Sequence, residues 1–186
     1  MFIIKTEGSL FMEFRELIKE RRSVRKYQKC VIPAEDVREI LQMASYAPSW
    51  KNNEASRYYV AVSEEAVKAV YEALPSFNQR STENAVYVVT AYVKGQSGFG
   101  ADGPVDALGD KWGVYDAGLH NAYFVLAAKE KGYDTLILGL RDEEKLRAVF
   151  NIPEEEEILS VIALGKRAGE VKTAKRKEVE DFALIR

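Results

Sequence analysis

The sequence predicts an α+β domain of three layers, in which helices cover both faces of a central β-sheet. Helical and strand-like patterns are mixed along the chain, without linkers, repeats or low-complexity tracts between them. The connections between strand-like segments are long and carry no hairpin signal. At 186 residues the chain suits one domain and is long enough to bury a substantial core.

Apolar spacing and end signals place each element in order. Pro33, followed by acidic residues in the first turn, is a favourable helix start. Gly132 is expected just past the end of the longest helix, at the position where left-handed backbone is common. The predicted helices lie near residues 13–22, 34–46, 64–74, 113–131 and 142–149, and the predicted strands near 58–63, 86–93, 135–138 and 158–164.

The helix predicted over 113–131 contains a belt, residues 122–128, that is apolar around its whole circumference. A helix without a polar stripe must be buried on every side. A domain of this size can barely enclose such a helix. Two interpretations are open at this point: a central core helix in a monomer, or a helix partly covered by a second subunit.

Composition and charge exclude several classes of protein. The formal net charge of −2 gives no overall basic field for nucleic acid. No apolar run approaches the length of a membrane span. A single cysteine, Cys30, rules out an intrachain disulfide framework. We therefore expect a cytoplasmic protein with no nucleic-acid or membrane partner.

The N-terminal apolar run is too short for a secretory h-region, and Lys5 and Glu7 interrupt it early. Met12 would make a suitable native start. Residues 1–11 are therefore expected to be an N-terminal extension, and residues 12–186 a single domain.

The end of the first predicted helix is the strongest chemical signal. Arg21, Arg22, Ser23 and Arg25 place three guanidinium groups and a hydroxyl within five residues. Arginine stays charged at any physiological pH and matches phosphate oxygens with two parallel donors. A solvated basic helix end explains the cluster equally well when it is taken alone.

A second segment, residues 44–57, favours a binding role. The residue before Pro48 is pushed out of helical backbone, so Pro48, Ser49, Trp50 and Asn52 fall on a loop before the next strand. Together the two segments resemble the nitroreductase family of FMN-dependent oxidoreductases. Arg21, Ser23 and Arg25 match that family's Arg-x-Ser-x-Lys/Arg segment, and Ala47, Pro48, Ser49 and Asn52 match its Ala-Pro-Ser-x-x-Asn loop.

The resemblance extends over nearly the whole chain from about residue 12. Asn78 is similar to the family's asparagine near the flavin ring, and 116–121, 132–135, 138–140 and 162–165 match further segments in order. The chain departs at residues 54–56, where Glu-Ala-Ser replaces the family's Gln-Pro-Trp. This departure concerns the acceptor side of the pocket more than the phosphate side.

The resemblance implies an FMN site and a role for each matching residue. Arg21, Ser23 and Arg176 are expected to hold the phosphate, and Arg25 to lie near the pyrimidine edge of the ring. Arg22 faces either the flavin or solvent. The amides of Asn52 and Asn78 suit the ribityl chain and the ring, and the backbone of Leu138 and Gly139 is expected near N5, where glycine permits close approach. The complete set of residues assigned to the cofactor is Arg21, Arg22, Ser23, Arg25, Pro48, Ser49, Trp50, Asn52, Glu54, Asn78, Leu138, Gly139 and Arg176.

The family also implies a nitroreductase-like fold with a mixed, mainly antiparallel sheet and an extended C-terminal arm, residues 168–186. Its members are homodimers with the flavin at the subunit interface, which favours the second interpretation of the long helix. The implied reaction passes hydride from NADH or NADPH through flavin N5 to a small aromatic acceptor, such as a nitroaromatic or a quinone, with ping-pong kinetics. No catalytic side chain and no metal are required.

Alternatives remain at this stage. The same fold and flavin serve dehalogenation, dehydrogenation or flavin cleavage in relatives, and a flavin-binding protein without turnover is another possibility. Residues 98–103 fit G-x-G-x-x-G, but no strand precedes and no helix follows directly, so a mobile glycine loop near the mouth of the site is the better interpretation. His120 lacks a nucleophile motif, and we interpret it as a histidine on a helix face.

Overall fold

The structure, a computed structural model, describes residues 13–186. The extension predicted over residues 1–11 lies outside the described residues. The helices are α1 (Phe14–Glu20), α2 (Ala34–Ala44), α3 (Glu64–Glu72), α4 (Ser76–Ser81), α5 (Lys111–Glu130) and α6 (Glu143–Phe150). The strands are β1 (Tyr27–Gln28), β2 (Ser56–Ala61), β3 (Val86–Val93), β4 (Phe99–Gly100), β5 (Gly103–Pro104), β6 (Asp134–Leu138) and β7 (Glu156–Arg167).

Strand β7 organises the main sheet. It pairs antiparallel with β3 along most of its length, with β6 through residues 161–165, and with β1 at its end. Strand β2 pairs antiparallel with β3 and completes the sheet. The one parallel element among the described residues is a bridge between Ser23 and Thr135. The sheet is therefore mixed and mainly antiparallel, as the resemblance implied.

Alternation along the strands sends neighbouring side chains into two separate cores. On one face, Tyr87, Val89 and Ala91 of β3 pack with residues of α3 and α6. On the other face, Val88 of β3 packs with residues of α2 and α5, including Phe124. Two apolar cores on either side of one sheet give the predicted three layers.

The predicted helix ends agree with the structure. Helix α2 begins directly after Pro33, with Glu35 and Asp36 in its first turn. Helix α5 ends at Glu130, and Gly132 follows with φ of +83°, in the left-handed region. This conformation suits glycine because it has no Cβ.

Three short elements differ from the sequence-based expectation. Strand β1 and helix α4 had not been predicted, since each is too short to show a periodic pattern. The glycine loop forms a hairpin, because β4 pairs with β5 inside it. The last glycine of the G-x-G-x-x-G pattern, Gly103, opens strand β5 rather than a helix, which agrees with rejecting a dinucleotide fingerprint.

Helix α5 is the longest helix described and lies against the sheet on one side only. Phe124 is fully buried and stacks on Tyr58, with ring centroids 5.8 Å apart. Tyr115 and Tyr123 are 59% and 42% exposed, although they belong to the same apolar helix. The apolar belt is thus covered on one face within the chain and open on another.

No helix in the part of the chain that the structure describes is long and apolar enough to cross a membrane.

Candidate functional site

The end of α1 carries the arginine cluster to the edge of strand β6. Arg21 caps the helix, and its N–H donates to the Leu17 carbonyl at 3.0 Å. The chain then becomes extended, and the Val24 N–H donates to the Thr135 carbonyl at 3.0 Å. Since the Val24 side chain is fully buried, the position of Ser23 beside β6 is fixed by both core packing and a backbone bond.

A cavity of about 440 Å³ lies beside this segment. Arg21 and Ser23 form one wall, and residues of α5 and β6 form the others. Strand alternation places Thr135 and Ile137 on the same face of β6, while Leu136 and Leu138 point into the core behind it. The full lining is Arg21, Ser23, Gly118, Asn121, Ala122, Val125, Thr135 and Ile137.

Arg21, which lines the cavity, has two cationic neighbours. Burial and the neighbouring charges of Arg176 and Arg22 lower the pKa of Arg21 from its ordinary value. Arg176 comes from the C-terminal arm, and Arg22 binds the same arm through Thr173 Oγ1 at 3.1 Å. The three guanidinium groups therefore repel one another, which an anion placed between them would relieve.

Arg22 and Arg25 differ in how much of their guanidinium is used inside the chain. Arg22 donates to the carbonyls of Lys19 and Arg21 and to Thr173. Arg25 is exposed and makes one long contact, from Nη1 to the Ser23 carbonyl at 3.5 Å. The guanidinium of Arg22 thus binds the backbone of α1 and the C-terminal arm. Within the described part of the chain, most N–H donors of Arg25, beside Ser23, are free to bind a ligand.

The segment after β6 lies next to the side chain of Asn78. Asn78 is buried in α4, and its Nδ2 lies 3.5 Å from the Leu140 carbonyl. Gly139 is exposed, and a Cβ added there would meet nothing within 4 Å. The side chain of Leu138 is buried in the core, so only its backbone can contribute to the site.

The loop around Pro48 is closed by its own hydrogen bonds. Ser49 Oγ accepts from the Glu54 N–H at 3.1 Å, and Asn52 Nδ2 donates to Glu54 Oε1 at 3.0 Å. Lys51, Asn52 and Glu54 all have positive φ, between 47° and 57°. Three non-glycine residues in left-handed backbone within four positions are costly, and such strain concentrates at functional sites.

Two buried side chains of α5 hold this loop against the helix. Asp116 accepts from the Trp50 N–H at 2.9 Å and from Ser97 Oγ at 2.7 Å. His120, one turn later, is 5% exposed, and its Nε2 has no partner among the described residues. Burial lowers the pKa of His120, an effect that the charges of Asp116 and Glu54 and a hydrogen bond to the backbone of Ala47, at the start of the loop, only partly oppose.

The loop and the cationic cavity lie on different sides of α5. At about 100° per residue, Gly118 and Val125 are each rotated by about 180–200° from Asp116 around the helix axis. Gly118 and Val125 line the cavity, whereas Asp116 binds the loop. The structure thus brings Arg21, Ser23 and Arg176 together, and Asn78 next to Leu140. It does not bring Pro48, Ser49, Trp50, Asn52 or Glu54 into the same cavity.

Sequence reasoning did not assign the cavity residues of α5 and β6 or the two residues that hold the loop. Gly118 and Asn121 fall within a segment that matched the family, but their residue types alone carry no chemical signal. Asp116 resembles any helix-surface acid in sequence. Its role follows from its burial, at 3% exposure, and from two donors that lie far away along the chain.

Comparison with known proteins identifies the family. The sequence model of the Nitroreductase family matches residues 18–166, and the chain belongs to this family. Its fold is shared with a provisionally assigned nitroreductase from Exiguobacterium sibiricum, solved in complex with FMN. The TM-score is 0.82 at 22% identity, over 94% of this chain and 98% of that one. The predictions of family and fold class are confirmed.

Sequence relatives extend over most of the chain. A Bacillus subtilis protein provisionally named NAD(P)H nitroreductase YdgI is 29% identical over 92% of this chain and 96% of its own length. An Archaeoglobus fulgidus protein provisionally named NADH dehydrogenase/NAD(P)H nitroreductase is 31% identical over 82% of this chain and 84% of its own length. The match is therefore to whole proteins rather than to a part of them.

Proposed function

We propose that this protein is an FMN-dependent NAD(P)H oxidoreductase that reduces small electrophilic aromatic compounds. The oxidoreductase class, the flavin and the nicotinamide reductant agree with family membership and with the names of the relatives. The observation that carries the assignment to this chain is the cluster of Arg21, Arg22 and Arg176, of which Arg21 lines the cavity beside β6.

The residues around this cavity fit FMN. A phosphate dianion would be held by charge-assisted hydrogen bonds from Arg21 and Arg176, with the Ser23 hydroxyl as a further donor. Gly118 leaves open space along the cavity wall, since a Cβ there would meet nothing within 4 Å, and the same is true of Gly139, which follows β6. Arg25 adds a cation that would stabilise negative charge on the pyrimidine edge of the ring.

The chemistry that bound FMN supplies is hydride transfer from a reduced nicotinamide to an acceptor. The chain's own contribution is to bind and orient the cofactor and the two substrates. We propose that the reductant and the acceptor use the same open side of the site in turn, which implies ping-pong kinetics. Nitroaromatics and quinones are the acceptor classes to test first, and a cytoplasmic location stays a prediction.

We further propose that the active protein is a homodimer and that each flavin site takes residues from both subunits. An apolar groove of about 680 Å³ lies between α1, α2 and α5, and Phe14, Met43 and Tyr123 are among its lining residues. The C-terminal arm ends in Phe182, Leu184 and Ile185, which are 70%, 76% and 85% exposed. Apolar grooves and exposed apolar side chains that lie close together are typical of protein–protein interfaces.

A shared site also gives the Pro48 loop a role. The loop cannot reach the cavity of its own chain, since α5 lies between them. Its exposed residues Pro48, Asn52 and Glu54 would instead face the flavin held by the second subunit. The strained backbone of the loop would then serve to present these groups across the interface.

Absorption and binding measurements test the flavin assignment. The purified protein should be yellow, hold one FMN per subunit, and lose its flavin absorbance on anaerobic addition of NADH or NADPH. Because the cationic cluster recognises phosphate, FMN should bind much more tightly than riboflavin. A protein that remains colourless after incubation with added FMN contradicts the proposal.

Mixed dimers test the shared site. Arg21→Ala alters the cavity, Asn52→Ala alters the loop, and a heterodimer of the two variants can be isolated with two different affinity tags. If each site combines the cavity of one chain with the loop of the other, one of the two sites is fully wild type. The heterodimer should then bind one FMN tightly and one weakly. If both sites of the heterodimer instead bind FMN weakly, the cavity and the loop of one chain belong to the same site.

A further inference from the structure

Arg141 connects the segment that follows β6 to the body of the protein. Its Nη1 donates to the Gly139 carbonyl at 2.6 Å, and its Nη2 donates to Glu143 Oε1 at 2.6 Å and to the Ile158 carbonyl on β7. The side chain is only 15% exposed. A single guanidinium therefore ties Gly139 to the central strand of the sheet.

The neighbouring carbonyl and the end of the segment are held as well. Asn78 Nδ2 lies 3.5 Å from the Leu140 carbonyl, and the Asp142 N–H donates to the Ala73 carbonyl at 2.8 Å. Two consecutive carbonyls, those of Gly139 and Leu140, are thus oriented by side chains. Neither orientation comes from regular secondary structure, because β6 ends at Leu138.

Fixing the carbonyls also fixes the N–H groups. In a planar trans peptide the C=O and the following N–H point in opposite directions. With the Gly139 carbonyl turned toward Arg141, the Leu140 N–H points away from that guanidinium. Within residues 13–186, the N–H groups of Gly139 and Leu140 have no hydrogen-bond partner, and both residues are exposed.

The segment continues the wall of the flavin cavity. Ile137 lines the cavity, and Gly139 follows two residues later, exposed and just past the end of β6. The free N–H groups are therefore at the end of a wall whose other end carries Ser23 and Arg21. If the FMN phosphate binds at the arginine cluster, its planar ring can lie along this wall with one edge next to the N–H groups of Gly139 and Leu140.

We propose that Arg141 is a positioning residue of the flavin site. By holding the Gly139 carbonyl, it presents the Leu140 N–H to the hydride-carrying edge of the FMN ring, and it places a fixed positive charge behind that peptide. This inference rests on the proposed function. Lysine cannot replace the arrangement, since binding two carbonyls and a carboxylate at once requires the planar fork of arginine.

The test compares flavin binding and redox potential in Arg141→Met, Arg141→Lys and the control Glu143→Gln. The control alters the carboxylate partner of Arg141 while leaving its donors to the two carbonyls. Dissociation constants are measured for FMN and for riboflavin, which lacks the phosphate, and the midpoint potential of bound FMN is measured by dye equilibration. Arg141→Lys keeps the positive charge beside Glu143. It therefore keeps the proposal testable if Arg141→Met does not fold.

Loss of one oriented donor should weaken FMN and riboflavin binding by the same factor, about 3- to 10-fold, in both Arg141 variants. The midpoint potential should fall in Arg141→Met, since a cation near the ring favours its electron-rich reduced form. It should stay near the wild-type value in Arg141→Lys, and it should not fall in Glu143→Gln, since that variant removes a negative charge rather than a positive one.

Unchanged flavin affinity and potential in Arg141→Lys, or in a folded Arg141→Met, would overturn the proposal and leave Arg141 a role in packing alone. Failure of the proposed function itself looks different, because the wild type would then bind neither FMN nor riboflavin.

Discussion

The two sides of helix α5 carry the two motifs that resemble a flavin site, and they are built in contrasting ways. On the cavity side, Arg21 and Arg176 place like charges close together. On the loop side, Asp116 satisfies the Trp50 N–H and the Ser97 hydroxyl. One side thus concentrates positive charge, and the other is held in a strained conformation by buried hydrogen bonds.

Under the proposed shared site, one chain would supply the cavity and its neighbour would supply the loop. A cationic cavity binds an anionic ligand, so its stability and its occupancy would be coupled. A loop fixed by buried hydrogen bonds keeps its shape without a ligand and would be free to contact a neighbouring subunit.

Separating the proposed subunits should have the largest effect. Tyr123→Glu places a charge in the apolar groove, where an interface would bury it without a partner. We expect a monomer in sedimentation that has lost FMN, although Arg21 and Asn52 are unchanged. Val62→Glu is the matched control, since Val62 is similarly exposed, at 38% against 42% for Tyr123, and does not line the groove. A monomeric Tyr123→Glu variant that holds FMN normally would contradict the shared site.

Phe124, in the middle of the apolar belt, is less suitable than Tyr123 for this test. Phe124 is fully buried against Tyr58 within the chain, so a charge at this position would unfold the protein and say nothing about the interface.

Removing one arginine on the cavity side should have the next largest effect. Arg21→Ala deletes a hydrogen bond to a charged group, which costs about 1.5–3 kcal/mol. FMN affinity should fall by about tenfold to a hundredfold in a fluorescence titration, while riboflavin affinity stays the same. Arg38→Ala, at a surface arginine paired with Glu35, is the control. An equal loss for both flavins would show that Arg21 does not contact the phosphate.

On the loop side, Asp116→Ala should lower stability without touching the cavity. It leaves the Trp50 N–H and the Ser97 hydroxyl without their acceptor, at a cost of about 1–3 kcal/mol in the free energy of unfolding. Urea unfolding of the flavin-free protein measures this directly. Asp106→Ala removes an exposed acceptor of Trp112 Nε1 and should cost less. Equal small losses in both variants would mean that Asp116 does not hold the loop.

The smallest expected effect is a dependence on pH at His120. Its pKa in the folded protein is lowered by burial from the ordinary value of 6.5, so the unfolded chain binds the proton more readily. Stability should therefore decrease as pH falls through about 6.5, and the decrease should end below the folded pKa. His120→Gln should lack this component between about pH 7.5 and about pH 5.5. If the free energy of unfolding changes with pH by the same slope in the variant and the wild type, His120 is not the source of the pH dependence.

Helix and strand periodicity predicted the long elements well, because burial on one face leaves a regular pattern in the sequence. Strand β3 was predicted at its observed bounds, 86–93, and the start of α2 after Pro33 agreed. The two-residue strands β1, β4 and β5 and the six-residue helix α4 left no such pattern. Their formation depends on partners distant in sequence, such as the pairing of Tyr27 with Arg167.

The sequence by itself determined the family, the three-layer fold and the chemistry of individual groups, since residue types in a given order and spacing carry that information. Only the tertiary structure decided which groups meet. It placed Arg176 beside Arg21 and Asn78 beside Leu140, and it put the cavity lined by Arg21 and the Pro48 loop on different sides of α5. The physical reason is that contacts between distant segments depend on how helices and strands pack, and packing is a property of the whole chain.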